Sequence, residues 1–202
     1  MADELPRLIL ITDWSQGEAL LGLVERALGG ARGVAVQHRH PGASDRDFLA
    51  EGRALAQVCA RHRAPLFVNR RLDVALLLNA HLHLPSSGLL ATDVRPHLPF
   101  GRWVSAAVHD EAEAARSRGA DLALVSPVFA PISKREERAA LGPAGFRALA
   151  AQLPCPAYAL GGVTADGLRA LGRVAGAAVI GAVLQAPDPA RAVAELLAAL
   201  AR

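Results

Sequence analysis

A chain of 202 residues can bury one sizeable core but not two α/β cores of ordinary size, so it is read as one domain over 1–202. The 22 basic and 19 acidic residues leave a net charge of +3 without any basic arm, and only 4% of residues are aromatic, which argues against a nucleic-acid partner. No apolar run reaches the ~18 residues of a membrane span, and the two cysteines lack metal-type spacing, so a cytoplasmic protein with no membrane contact, metal or other cofactor is expected.

From the N-terminus onward, short apolar runs alternate with longer amphipathic ones, the pattern of repeated βα units around a parallel sheet. Strands are predicted at 8–12, 34–39, 66–68, 80–84, 103–107, 122–125, 157–160 and 177–180. Helices are predicted at 18–28, 44–61, 71–78, 91–97, 110–118, 143–152, 165–173 and 189–201. Ser44 with Asp47, Pro143 after Gly142, and Asp188-Pro189 are helix-start signals, while Gly29-Gly30 and Gly119 are stops. Eight such units in so short a chain favour closure into a (β/α)₈ TIM barrel over an open sheet. The irregular stretch 126–142 is then a long loop within the domain, and loops of that length are usually functional.

In this architecture ligands bind where the strands end. Gly161-Gly162 closes the seventh strand and Gly181-Ala182 the eighth, where such barrels commonly hold phosphate on main-chain amides. Gln37 and Arg39, two apart on one strand, share a face, and Arg39 suits a carboxylate or phosphate. Asn69, Arg70 and, in the long loop, Ser133 and Lys134 complete the candidate ligand contacts, the last two on a lid-like segment. His83 and His109 lie near strand ends and are the candidates for acid–base work, as groups that titrate near neutral pH. His38 and His40 are expected to face the helices, and Cys59 and Cys155 to be buried free thiols.

Ile11-Thr12-Asp13, Gln37-His38-Arg39, Phe67-Val68-Asn69-Arg70, His83-Leu84-Pro85-Ser86, Ser126-Pro127-Val128-Phe129, Ser133-Lys134 and Leu160-Gly161-Gly162-Val163 follow one another in a familiar order. Together they resemble the thiamine phosphate synthase/TenI superfamily from about Leu8 to the last helix. The resemblance implies a phosphorylated small-molecule ligand, a thiazole phosphate, and leaves a homo-oligomer open. Synthases of this family join a pyrimidine pyrophosphate to a thiazole phosphate, using two aspartates for Mg²⁺. Those positions are Arg70 and Gly88 here, and the family's strand lysine is Pro41. A hard cation needs oxygen ligands, and an arginine repels it, so the resemblance points to the TenI branch and a metal-independent thiazole tautomerase, with synthase activity disfavoured. The histidine that shuttles the proton in TenI-like tautomerases is replaced by Pro127. That leaves His83 or His109 as the carrier, or else a non-catalytic binding or regulatory protein.

Overall fold

The computed structural model describes residues 4–130 and 139–201. Eight parallel strands pair in chain order and close: β1 (Leu8–Ile11), β2 (Val34–His38), β3 (Leu66–Asn69), β4 (His81–Leu84), β5 (Val104–Val108), β6 (Leu122–Val125), β7 (Ala157–Ala159) and β8 (Gly176–Val179). Closure is made by β8 against β1, where Leu8, Ile9 and Leu10 face Ala177, Ala178 and Val179. Around them lie α1 (Ala19–Leu28), α2 (Asp45–His62), α3 (Leu72–Leu77), α4 (Ala91–Val94), α5 (Glu111–Arg116), α6 (Gly142–Ala150), α7 (Ala165–Leu171), α8 (Gly181–Leu184) and α9 (Pro189–Leu200). The expected (β/α)₈ barrel is therefore the observed fold.

The start signals act as the chemistry of orphan amides requires. Ser44, Asp110, Thr164 and Asp188 each accept from a main-chain N–H in the first turn of the helix they precede. The predicted helix over 91–97 divides into α4 and a 3₁₀ turn, Arg95–His97, because Pro96 cannot continue the α-helical ladder. Two elements escaped the periodicity. One is a 3₁₀ turn at Trp14–Gln16, capped by Asp13, and the other is α8; both are too short to show an amphipathic repeat.

Both faces of every strand are covered, which is why the strands read as nearly continuous apolar runs. One face packs against the helices. The other fills the lumen with Ile9, Ile11, Ala35, Phe67, Leu122, Leu124, Tyr158 and Ala178. Rings pack together at the lumen's lower end: His81 stacks on Trp103 at 4.3 Å between centroids and lies tilted against Phe67 at 4.9 Å. There the Tyr158 hydroxyl donates to the Pro6 carbonyl, tying the N-terminal segment beneath the barrel. The opposite end, where the strands finish, is where ligands bind in this fold.

Candidate functional site

The alternation that sends Phe67 and Leu122 into the lumen also sends Gln37, Asn69, His83 and Ser105 there. Gln37 pairs in register with Phe67, and Asn69 with His83, which pairs in turn with Ser105. These polar residues line the upper lumen, above the apolar fill. Gln37 is 1% exposed, and its side-chain N–H₂ has no hydrogen-bond partner among the described residues. A buried donor without an acceptor costs roughly 1–3 kcal/mol, so its retention points to a ligand acceptor.

Arg39 leaves β2 at the rim. The buried Thr12 hydroxyl accepts from the Arg39 main-chain N–H (2.9 Å) and donates to its carbonyl (3.2 Å), fixing where the side chain emerges. The residue is exposed, and no ion pair to it is found among the described residues. It is thus no buried polar plug but a cation presented to solvent at the mouth. Arg70 stands next door with φ +68°, its main-chain N–H on the His83 carbonyl (2.7 Å) and its guanidinium on the Ser87 hydroxyl (3.2 Å). Its neighbour Arg71 is consumed by Asp73 and Asp45 and is unavailable to a ligand.

The positions that carry the Mg²⁺ aspartates in the synthases it resembles are Arg70 and Gly88 here. Arg70 brings positive charge where a carboxylate is needed, and a Cβ at Gly88 would sit 3.0 Å from the Pro85 carbonyl oxygen and 3.1 Å from its ring. The turn through 85–88 is closed by a Gly88 N–H bond to that carbonyl, so a side chain at 88 requires Pro85 to shift by a few tenths of an ångström. Among the described residues no group of three His, Cys, Asp or Glu side chains is arranged to hold a metal ion. The donor set does not fit a hard divalent cation.

The histidines separate into different roles. His83 is 6% exposed and shares a 2.8 Å hydrogen bond with Ser105. Burial, then the Arg39 charge and His109, push its pKa down to about 3. The expectation that His83 titrates near neutrality is thereby corrected: a cation cannot be desolvated there beside a guanidinium. His109 follows β5 on the inward phase, and its Nδ1 lies 2.6 Å from Glu113 Oε2, which also accepts the His109 main-chain N–H at 2.8 Å. His38 and His40 face the helices as expected. His38 is wholly buried with its pKa lowered to about 4 by burial, accepting from Trp14 Nε1 and donating from Nε2 to the Phe48 carbonyl (2.9 Å). His40 pairs with Glu51. Of the thiols, Cys59 is buried, but Cys155 is only partly so, which corrects that expectation.

The glycine turns sit side by side, since β7 and β8 are neighbours. Gly161 and Gly162 have φ of +89° and +59°, in the region that favours glycine. On the Cβ side these glycines are approached closely by the chain itself. A Cβ at Gly161 would lie 2.8 Å from Pro127 Cα, and one at Gly162 would lie 2.5 Å from the Ala130 carbonyl oxygen. The segment is held there by Val128 N–H on the Leu160 carbonyl and Phe129 N–H on the Gly161 carbonyl. The N–H groups of Gly161, Gly162, Gly181 and Ala182 remain without an acceptor among the described residues. Ser133 and Lys134 lie outside the described residues. Sequence reasoning missed Glu113 and Ser105 beside His109 and His83; the His-x₃-Glu spacing across a helix start was the signal for the first.

Comparison with known proteins follows the same lines. Residues 8–183 match the family model described as thiamine monophosphate synthase. A protein of Salinispora tropica named thiamine-phosphate synthase is 40% identical over 97% of this chain and 98% of its own length. One of Synechococcus sp. with the same name is 36% identical over 95% of this chain, which spans only 56% of that relative. A solved structure, the thiamine phosphate pyrophosphorylase from Pyrococcus furiosus, superposes with a TM-score of 0.82 at 29% identity, covering 96% of this chain and 95% of the other. These names correct the weight given to the TenI branch, for they carry the synthase side instead. No helix among the described residues is long and apolar enough to cross a membrane. The chain belongs to the thiamine monophosphate synthase family.

Proposed function

We propose that this chain binds a thiazole phosphate at the barrel mouth and acts in the formation of thiamine phosphate, the reaction for which its relatives are named. The observation that carries the reading is the set of main-chain N–H groups at Gly161, Gly162, Gly181 and Ala182 that have no acceptor among the described residues, just past adjacent strands of a barrel. Loops after the seventh and eighth strands, with a short extra helix such as α8, form the common phosphate site of this fold. The phosphoryl group rests on those amides. Gln37 donates to the ring or its substituent, and Arg39 and Arg70 face the second anionic group, a carboxylate or a pyrophosphate. Asn69 borders the same space.

Positive charge on that side comes from guanidinium groups, so the coupling reaction draws on them for leaving-group stabilisation. The experiment is an assay of thiazole phosphate with a pyrimidine pyrophosphate, run with and without chelator. Coupling supports the reading, and coupling that survives chelator supports the role of the arginines. Failure to couple, together with failure to bind thiazole phosphate by calorimetry, overturns it.

A second reading is favoured by one specific observation, the His109–Glu113 pair beside the lumen. In it the chain rearranges a thiazole phosphate carboxylate by metal-independent proton transfer, with His109 as carrier and His83 as a neutral hydrogen-bonding group. Chelator-insensitive change in the thiazole ultraviolet spectrum without coupling distinguishes it; a protein that binds and does neither is a non-catalytic homologue.

A further inference from the structure

Glu113 lies in the first turn of α5, and its main-chain N–H is already capped by Asp110 at 2.9 Å. Its side chain turns back across the helix start. One oxygen, Oε2, takes both the His109 main-chain N–H (2.8 Å) and the ring Nδ1 (2.6 Å). The carboxylate is 14% exposed and the imidazole 21%, so the bond is sheltered from competing water. An ionised carboxylate can only accept. Nδ1 therefore carries the proton, and in the neutral ring Nε2 is the lone-pair nitrogen. Among the described residues Nε2 has no hydrogen-bond partner. The ring stands on the inward phase of β5, within electrostatic reach of His83, while His83 itself is held uncharged.

We propose that Glu113 is a positioning residue: it locks His109 as the Nδ1–H tautomer and so leaves Nε2 facing the mouth as the proton acceptor for a bound ligand. The inference rests on the proton-transfer reading above. The proton leaves the ligand carbon, the C–H electron pair stays in the thiazole ring, Nε2 takes the proton, and the imidazolium so formed returns it at another ring position. Glu113 stabilises that imidazolium without itself accepting the proton.

Glu113→Gln separates this role from simple helix capping. Gln keeps an oxygen for the His109 main-chain N–H, and Asp110 still caps α5, but an amide can donate as well as accept and so no longer dictates which nitrogen bears the proton. The first readout is the ¹⁵N spectrum of the His109 ring. Wild type is expected to be the Nδ1–H tautomer, and the variant a mixture, with an unchanged thermal midpoint. The second is turnover of the thiazole phosphate carboxylate, where kcat is expected to fall about tenfold or more at unchanged KM. His109→Asn should lose at least as much, and the double variant no more than His109→Asn alone. A wild-type Nε2–H tautomer, or an unaltered tautomer in Glu113→Gln, overturns the proposal. So does a wild-type kcat in the variant. If wild type turns over nothing, the proton-transfer reading fails, and the ring spectra still decide whether Glu113 sets the tautomer.

Discussion

A Cβ on Gly162 would lie 2.5 Å from the carbonyl oxygen of Ala130, closer than side-chain and main-chain atoms can pack. The glycine pair is thus held in place by the segment at 127–130, while its N–H groups have no acceptor among the described residues. Gly162→Ala combines this collision with a φ of +59° and is expected to cost about 1–3 kcal/mol or more. Gly181→Ala should stay within about 1 kcal/mol of wild type, because its Cβ would meet only the movable Gln185 side chain, at 3.2 Å. Denaturant unfolding of the two variants checks the contrast.

Stability should fall on acidification. His38 and His83 have folded-state pKa values lowered by burial to about 4 and about 3, against about 6.5 in the unfolded chain. Their neutral forms favour the fold fully above pH ~6.5, and that contribution is lost as pH drops towards the folded values. The loss assigned to His38 is on the order of 3 kcal/mol between those limits. Urea unfolding at several pH values between 7 and 4 checks it, and His38→Asn should flatten part of the slope whatever its effect at pH 7. A stability independent of pH over that range would contradict the buried, neutral state of both rings.

Arg39→Ala should weaken binding of thiazole phosphate or its carboxylate about ten- to hundredfold, the worth of roughly 1.5–3 kcal/mol of charge-assisted hydrogen bonding. Arg53→Ala, an exposed position on α2, should leave the affinity unchanged. Isothermal calorimetry at low and high salt measures both, and equal effects of the two variants would remove Arg39 from the site.

Asp121 accepts from the Val104 main-chain N–H (2.7 Å) and from Arg95 (2.6 Å), linking the start of β5 to the turn after α4. Asp121→Ala should destabilise the fold by about 1–3 kcal/mol through the stranded amide, and leave ligand affinity intact because the pair lies at the lower end. Thermal unfolding and calorimetry on the same sample test the two halves of that statement.

The eight strands were legible because a strand covered on both faces reads as an unbroken apolar run, and each run here is followed by turn chemistry such as Ser44 or Asp188. The glycine turns and Gln37 were legible from strand order alone. The tautomer of His109 was not, because it depends on a carboxylate on the next element turning back to it, and neither was the depressed pKa of His83, which depends on enclosure by neighbouring strands. α8 was hidden because four residues carry no periodicity.

The order of apolar runs, caps and glycines by itself determined a closed barrel with its candidate ligand groups at one rim, since spacing and backbone chemistry are local properties written into the chain. Only the tertiary structure decided what those groups are. Packing of 127–130 dictates the glycine pair, Pro85 crowds position 88, and burial beside Arg39 strips His83 of its charge. Each of these depends on distances between residues far apart in sequence, and desolvation and collision act through space rather than along the chain.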